Sequence, residues 1–196
     1  EQDHVGLFTM SFSPDCPTFE TAFLSTDTLQ QTQRMADISA QLRQFSRKSS
    51  ERHETISVQA CIEYALRLFH SRLRDGNIQV TPQWPSETLW VEGDLVRLEQ
   101  VIVNLIGNAI QAMKDASQPT LTLQAEATPH HVHIHVIDNG PGIAEQHVSR
   151  IFEPFFTTKA PGSGLGLGLS ISSRIMEDLG GKLQASNRAE GGACFT

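Results

Sequence analysis

Glu99-Gln100-Val101-Ile102-Val103-Asn104-Leu105-Ile106-Gly107-Asn108-Ala109 reads as the middle of a long helix with two amides set into it. Leu95, Leu98, Ile102, Leu105 and Ala109 recur at three- and four-residue spacing, and Asp94 stands where an N-cap belongs. The helix is therefore expected to reach from Asp94 to Lys114. Asn104 and Asn108 are i and i+4, about 40° apart on one face. Two carboxamides there can ligate a hard cation through oxygen, or bond phosphate oxygens, without adding negative charge beside a polyanion. A pair of buried amides capping a neighbouring loop would look the same at this level.

Downstream, residues 120–127 and 131–138 alternate Leu121/Leu123 and Val132/Ile134/Val136 as an antiparallel pair around a Pro129-His130 turn. The second strand runs into Asp138-Asn139-Gly140-Pro141-Gly142. A carboxylate at a strand end, followed by Gly-Pro-Gly, lets backbone approach a flat ligand and can accept from an exocyclic amine such as that of adenine. A simple turn shares the pattern. Gly162-Ser163-Gly164-Leu165-Gly166-Leu167-Gly168 then leads into a helix near 165–179. Exposed amides and a helix N-terminus suit phosphates, although a surface loop would also be glycine-rich. Lys159 is the only charged side chain between Phe156 and Ser170, which makes the stretch a nearly neutral lid. No Walker Lys-Ser/Thr accompanies the glycines and no strand directly precedes them, so P-loop and Rossmann sites do not fit. Two closing strands are expected at about 182–187 and 192–196, around Gly191-Gly192.

Upstream, residues 58–74 carry Ile62, Leu66, Phe69 and Leu73 on one helical stripe, ended by Asp75-Gly76-Asn77. Short strands are expected at 78–82 and 88–91, with Pro82 and Pro85 in the connection. Residues 28–52 include Met35, Ile38, Leu42 and Phe45 at 3-4-3 spacing. That seam suits a helix packed on its own domain, or one arm of a helical hairpin or dimer bundle. Residues 1–27 have no period, Pro14 and Pro17 interrupt them, and no function attaches to them.

The 196 residues suffice for one sizeable core, and 39% hydrophobic with 19% charged residues is a globular composition. Fifteen Lys+Arg against 22 Asp+Glu give a net charge of −7, which argues against a nucleic-acid or anionic-membrane surface. No apolar run reaches the roughly 18–20 residues that cross a bilayer, and no signal peptide is read at the start. Cys16, Cys61 and Cys194 are odd in number and far apart, suggesting neither a disulfide framework nor a zinc knuckle. A reduced, cytosolic domain is expected. His131, His133 and His135 alternate on one strand face beside His130, a pattern shared by a surface metal site and by the simpler account, an exposed polar face. His70 and His147 read as ordinary surface residues.

Order carries more than any single box. The Asn-bearing helix is followed by D-x-G-x-G and then by Phe152-Glu153-Pro154-Phe155-Phe156-Thr157-Thr158-Lys159. G-x-G-x-G and Gly191-Gly192-Ala193-Cys194-Phe195-Thr196 complete a series that resembles the GHKL ATP-binding domain. The phenylalanine box looks like that of two-component sensor histidine kinases. The glycine tract and the ending look closest to the nitrogen-regulation and C4-dicarboxylate-transport sensors. The resemblance covers roughly residues 28–196.

That resemblance implies an α+β fold, a two-layer α/β sandwich over 55–196. Before it would stand a bundle-type helix at 28–54, like the second helix of a dimerisation and phosphotransfer hairpin. It implies ATP and Mg²⁺ as cofactors, with Asn108 holding the metal and Asn104 and Lys159 beside it in the catalytic set. Asp138 would read the adenine amino group, Gly140 and Gly142 would shape its pocket, and Thr196 would back the aspartate. Phe156, Thr157, Thr158, Gly162, Gly164, Gly166, Leu167 and Gly168 would complete the nucleotide site, with Phe152, Phe155 and Phe156 anchoring the lid. ATP-hydrolysing relatives usually carry a glutamate base at the position of Asn104. An amide cannot take a proton from water, which fits a kinase that keeps its γ-phosphate for a histidine. The implied partners are a response-regulator receiver domain and a second copy joined through a helical bundle in the full-length protein. Rival readings are a nucleotide-binding regulatory module without autokinase activity, and an ATPase of the wider class. The acceptor box, His followed by an acidic residue with a downstream Pro, finds no match: His4 lacks the acidic follower, and His53-Glu54 follows the hairpin helix and lacks the Pro.

Overall fold

A computed structural model describes residues 54–159 and 165–196. Outside them lie residues 1–27, nearly all of the expected helix at 28–54, His4, His53, and Gly162 and Gly164 of the glycine tract. The first described strand, β1 (Glu54–Ser57), runs into α1 (Val58–Leu68), where the Ser57 hydroxyl accepts from the Ala60 N–H. The stripe expected to run unbroken to residue 74 stops at Phe69 (φ −95°, ψ 5°), and a second helix, α2 (His70–Asp75), follows. The Phe69 ring lies against Gly107 of the next long helix, where a Cβ would stand 3.2 Å from it. Periodicity alone does not show such a bend, because both halves keep the same apolar stripe.

The strands β2 (Gln79–Gln83) and β3 (Trp90–Gly93) come next. Pro82 lies inside β2 rather than in the connection. β2 is an edge strand, parallel to β4 (Thr120–Ala127), and an edge tolerates a residue that cannot donate. β4 pairs antiparallel with β5 (Val132–Asp138), β5 with β7 (Ala193–Phe195), and β7 with β6 (Ala185–Asn187), giving the order β2-β4-β5-β7-β6. β1 and β3 form a separate antiparallel pair.

Between β3 and β4 runs α3 (Leu95–Ala112), capped by the Asp94 carboxylate on the Arg97 N–H at 3.2 Å. Its stripe of Leu98, Val101, Ile102, Leu105, Ile106 and Ala109 is buried, and the helix packs against α1, β5 and α5 (Gly168–Asp178). Helices therefore form one layer and the sheet the other, as the α+β sandwich requires. Ile102, Ile106, Leu121, Leu123 and Val136 meet at their junction with essentially no exposure, each worth about 1.5–3 kcal/mol of burial. Cys61 sits in the same core, where burial pushes its thiol up to about 11 and leaves it unreactive. Arg97 ties α3 to α5 by a 2.6 Å bond to Asp178, which Arg174 also contacts at 3.2 Å.

Candidate functional site

A cleft of about 960 Å³ opens beside α3, the loop after β5, residues 156–159 and the start of α5. The polar edge of α3 lines it. Asn104, Asn108 and Gln111 follow at i, i+4 and i+7, so one helical stripe presents three carboxamides. Asn104 Nδ2 donates to Ser172 Oγ of α5 at 2.9 Å. The first residue of α5 is Gly168, and a Cβ there would collide with Asn104 Oδ1, so the helix can start this close to α3 only as glycine.

Lys159 Nζ reaches across the cleft to Gln111 Oε1 at 2.5 Å and Asn108 Oδ1 at 3.4 Å. Burial of the ammonium pushes its pKa below the usual lysine range. A cation already sits on two amide oxygens, so this donor set fits a hard divalent ion such as Mg²⁺. Gln111 was not among the residues the sequence singled out, although it stands on the next turn of the Asn stripe. Ser172 gave no signal, because its role depends on how α5 crosses α3.

At the opposite wall, Asp138 ends β5 with only 2% of its surface exposed. Its Oδ1 accepts from the Gly140 N–H at 2.9 Å and the Ala193 N–H at 3.3 Å. Burial raises its pKa above the usual aspartate range, against the lowering effect of those two bonds and of Arg188. Both bonds fall on Oδ1, which leaves Oδ2 to accept from a ligand. Gly140 meets the carboxylate through its N–H without lining the cleft, while Gly142, Phe156, Thr157, Thr158, Gly166 and Leu167 line it together with Lys159 and Gly168. Gly166 adopts φ +68° against the Phe155–Phe156 backbone, where an L side chain would be strained.

The structure departs from the sequence expectations at Thr196 and His147. Thr196 does not back Asp138. The β5–β7 register pairs Val136 with Phe195 and Ile137 with Cys194, and side chains alternate across the sheet. Ala193 and Phe195 therefore share the Asp138 face, while Thr196 lies on the other and meets His135 Nδ1 at 2.9 Å. The backing group is the Ala193 N–H. His147 is not an ordinary surface residue. It is half-buried in the short helix α4 (Glu145–Val148), lines the cleft, and stacks obliquely on Phe156 at 5.3 Å with Nδ1 buried and unpartnered. His70 lies away from this cleft, in α2. On the sheet's outer face, His135 is half-buried beside Glu126 at 3.6 Å, and His133 stacks on it. Among the described residues no group of three or more His, Cys, Asp or Glu is placed to hold a metal ion. No helix among them is long and apolar enough to cross a membrane.

The family described as histidine kinase-, DNA gyrase B-, and HSP90-like ATPase matches residues 93–196. The C4-dicarboxylate transport sensor protein DctB of Pseudomonas aeruginosa is 39% identical over 163 residues, 83% of this chain and 27% of DctB. The chain thus spans about a quarter of the length of that relative. The catalytic domain of histidine kinase ThkA superposes with a TM-score of 0.66 at 35% identity, covering 74% of this chain and 94% of that domain. ThkA solved in complex with response regulator protein TrrA gives a TM-score of 0.71 at 29% identity, covering 90% of this chain and 51% of that one.

Proposed function

The chain belongs to the histidine kinase-, DNA gyrase B-, and HSP90-like ATPase family and is an ATP-binding catalytic domain of the sensor histidine kinase type; from that premise we propose that its cleft holds ATP with Mg²⁺ and delivers the γ-phosphate to a histidine. The observation that carries the proposal is one cleft with a buried carboxylate, Asp138, on one wall and an amide stripe with Lys159 on the other. Asp138 Oδ2 would accept from the exocyclic amine of adenine, with Ile143 as the apolar wall beside the ring. Asn108 and Gln111 would hold the metal, which supplies charge neutralisation for the phosphates. Lys159 would leave the amides for a phosphate oxygen, and the amides at the start of α5 would face the same anion. Phosphoryl transfer chiefly needs such positioning and electrostatic support.

Transfer to protein is favoured over hydrolysis by what surrounds Asn104. The amide cannot act as a base, and it is spent on Ser172. Among the described residues, the carboxylates lining the cleft are Asp115 and Asp138, and Asp138 is committed to two backbone amides. We place the acceptor histidine on a helical bundle that the segment 28–54 would help form, with a second copy of the protein, in the cytoplasm where ATP is available. The onward acceptor would be an aspartate of a response-regulator receiver domain, by analogy with ThkA, solved with the response regulator TrrA.

The test is in two stages. Calorimetric titration with a non-hydrolysable ATP analogue should show Mg²⁺-dependent binding that Asp138→Asn and Asn108→Asp each weaken. Adding a bundle fragment that carries an acceptor histidine should then give acid-labile label from γ-labelled ATP. Binding without label transfer would favour a regulatory nucleotide module. Steady phosphate release with no protein acceptor would favour an ATPase.

A further inference from the structure

Asn187 is the last residue of β6, exposed at the surface, and nothing in the sequence singles it out. Its Nδ2 donates to the Ile143 carbonyl at 2.6 Å, and its Oδ1 accepts from the Ile143 N–H at 2.7 Å. A carboxamide carries a donor and an acceptor like a peptide group, so this pair imitates a two-bond rung of an antiparallel ladder. Ile143 belongs to no strand; the side chain of Asn187 stands in for one. The same Oδ1 lies over Gly142, where a Cβ would come within 2.9 Å of it.

The loop from Asp138 to Ile143 is held at three points. The sheet fixes Asp138. Asn139 fixes the middle, its Oδ1 accepting from the Thr120 N–H and its Nδ2 donating to the Gln118 carbonyl, both at 2.8 Å. Asn187 fixes the far end, and among the described residues no other hydrogen bond reaches residues 141–143. Gly142 and Ile143 line the cleft next to Asp138, so their placement decides where a flat base can lie relative to the carboxylate.

We infer that Asn187 is a positioning residue for base selection: it holds the Gly142–Ile143 wall so that an adenine, and not a guanine, meets the Asp138 carboxylate. The inference rests on the nucleotide reading above and names the determinant of its base preference. Adenine offers an amine to Asp138 where guanine offers a carbonyl oxygen. A fixed wall forces that repulsion, whereas a loose wall lets the ring slide away from it.

Asn187→Ala removes both bonds; Asn187→Asp keeps the acceptor for the Ile143 N–H, loses the donor and sets a carboxylate against the carbonyl. Dissociation constants for non-hydrolysable ATP and GTP analogues are measured on the whole chain, with melting temperature and amide exchange at Ile143. Asn187→Ala should weaken the ATP analogue about tenfold, reduce the ATP-over-GTP preference, and speed exchange at Ile143, with the melting temperature within about 2 °C. Asn187→Asp should move the preference in the same direction by less. Should the alanine variant fail to fold, the aspartate variant decides by the same ratio. An unchanged ratio in the variants, whether affinity stays or falls equally for both nucleotides, overturns the inference while the nucleotide reading stands. Failure of the unaltered chain to bind either analogue overturns the nucleotide reading and this inference with it.

Discussion

Asp138, in the proposed role of adenine acceptor, would set stability against function within one side chain. Burial holds its carboxyl above the ordinary range, so folding favours the protonated form. Its contribution to stability is complete below the unfolded value of about 3.9 and is lost as pH rises through the raised folded value. At neutral pH the ionised group therefore costs folding free energy. Asp138→Asn keeps an oxygen for the Gly140 and Ala193 amides and removes that cost. The melting temperature should hold or rise by up to about 4 °C, while affinity for the ATP analogue falls tenfold or more because the amide nitrogen cannot accept from adenine. Thermal melts beside calorimetry check this; a lower melting temperature would show that the ionised form is the better-stabilised one. Gly168 behaves differently. Gly168→Ala drives a methyl into Asn104 Oδ1, a steric fault of about 1–3 kcal/mol that a smaller partner should relieve. The double variant with Asn104→Ser should recover at least half of the melting temperature lost by Gly168→Ala; additive losses would sink this account.

Among elements, α3 and α5 meet as a clamp at two points: Arg97 with Asp178 near one end, and Asn104 with Ser172 beside the cleft. The hydrogen bond from Arg97, then the charges of Arg97 and Arg174, hold the Asp178 carboxyl below its usual range. A depressed carboxylate contributes stability that is whole above the unfolded value, about 3.9, and fades as pH falls below it. Arg97→Ala should cost about 1 kcal/mol at pH 7 and much less near pH 3, read as the difference in urea midpoints at the two values. A penalty that is the same at both would assign Arg97 a packing role only.

These elements also mark where the sequence stopped being legible. α3 was readable because an N-cap and a 3/4 stripe are local signals, and Asn104 and Asn108 lie at i and i+4 on it. Asp138 was readable because Gly-Pro-Gly follows it. The break at Phe69 was not, since it depends on a ring finding Gly107 on another helix. Thr196 went to the wrong face because side-chain sides depend on the β5–β7 register, which no local pattern states. Asn187 and His147 were invisible for the same reason: each acts on a chain segment more than eight residues away.

At the scale of the whole molecule, a chain of net charge −7 is matched with a polyanionic ligand. Long-range attraction would not hold the phosphates, and among the described residues the cleft offers them no basic patch. Among the described residues its side-chain cations are Lys114 and Lys159, against Asp115 and Asp138. What remains would be short-range: Asn108 and Gln111 on α3, backbone N–H groups at α5, Lys159, and the divalent ion that the two amide oxygens would hold. The base end of the site, by contrast, carries Asp138 with Arg188 close enough to act on it, and would owe nothing to a metal. Chelation should therefore split affinity along the ligand. Removing Mg²⁺ with EDTA should weaken binding of the ATP analogue tenfold or more, weaken ADP less, and leave adenosine unchanged within error. Raising the salt concentration at constant Mg²⁺ should change the ATP affinity only slightly, because few exposed lysines or arginines are engaged. A steep salt dependence with no effect of chelation would mean that a basic surface outside this cleft meets the phosphates. An equal loss for adenosine would mean that the metal holds the fold of the cleft rather than its ligand.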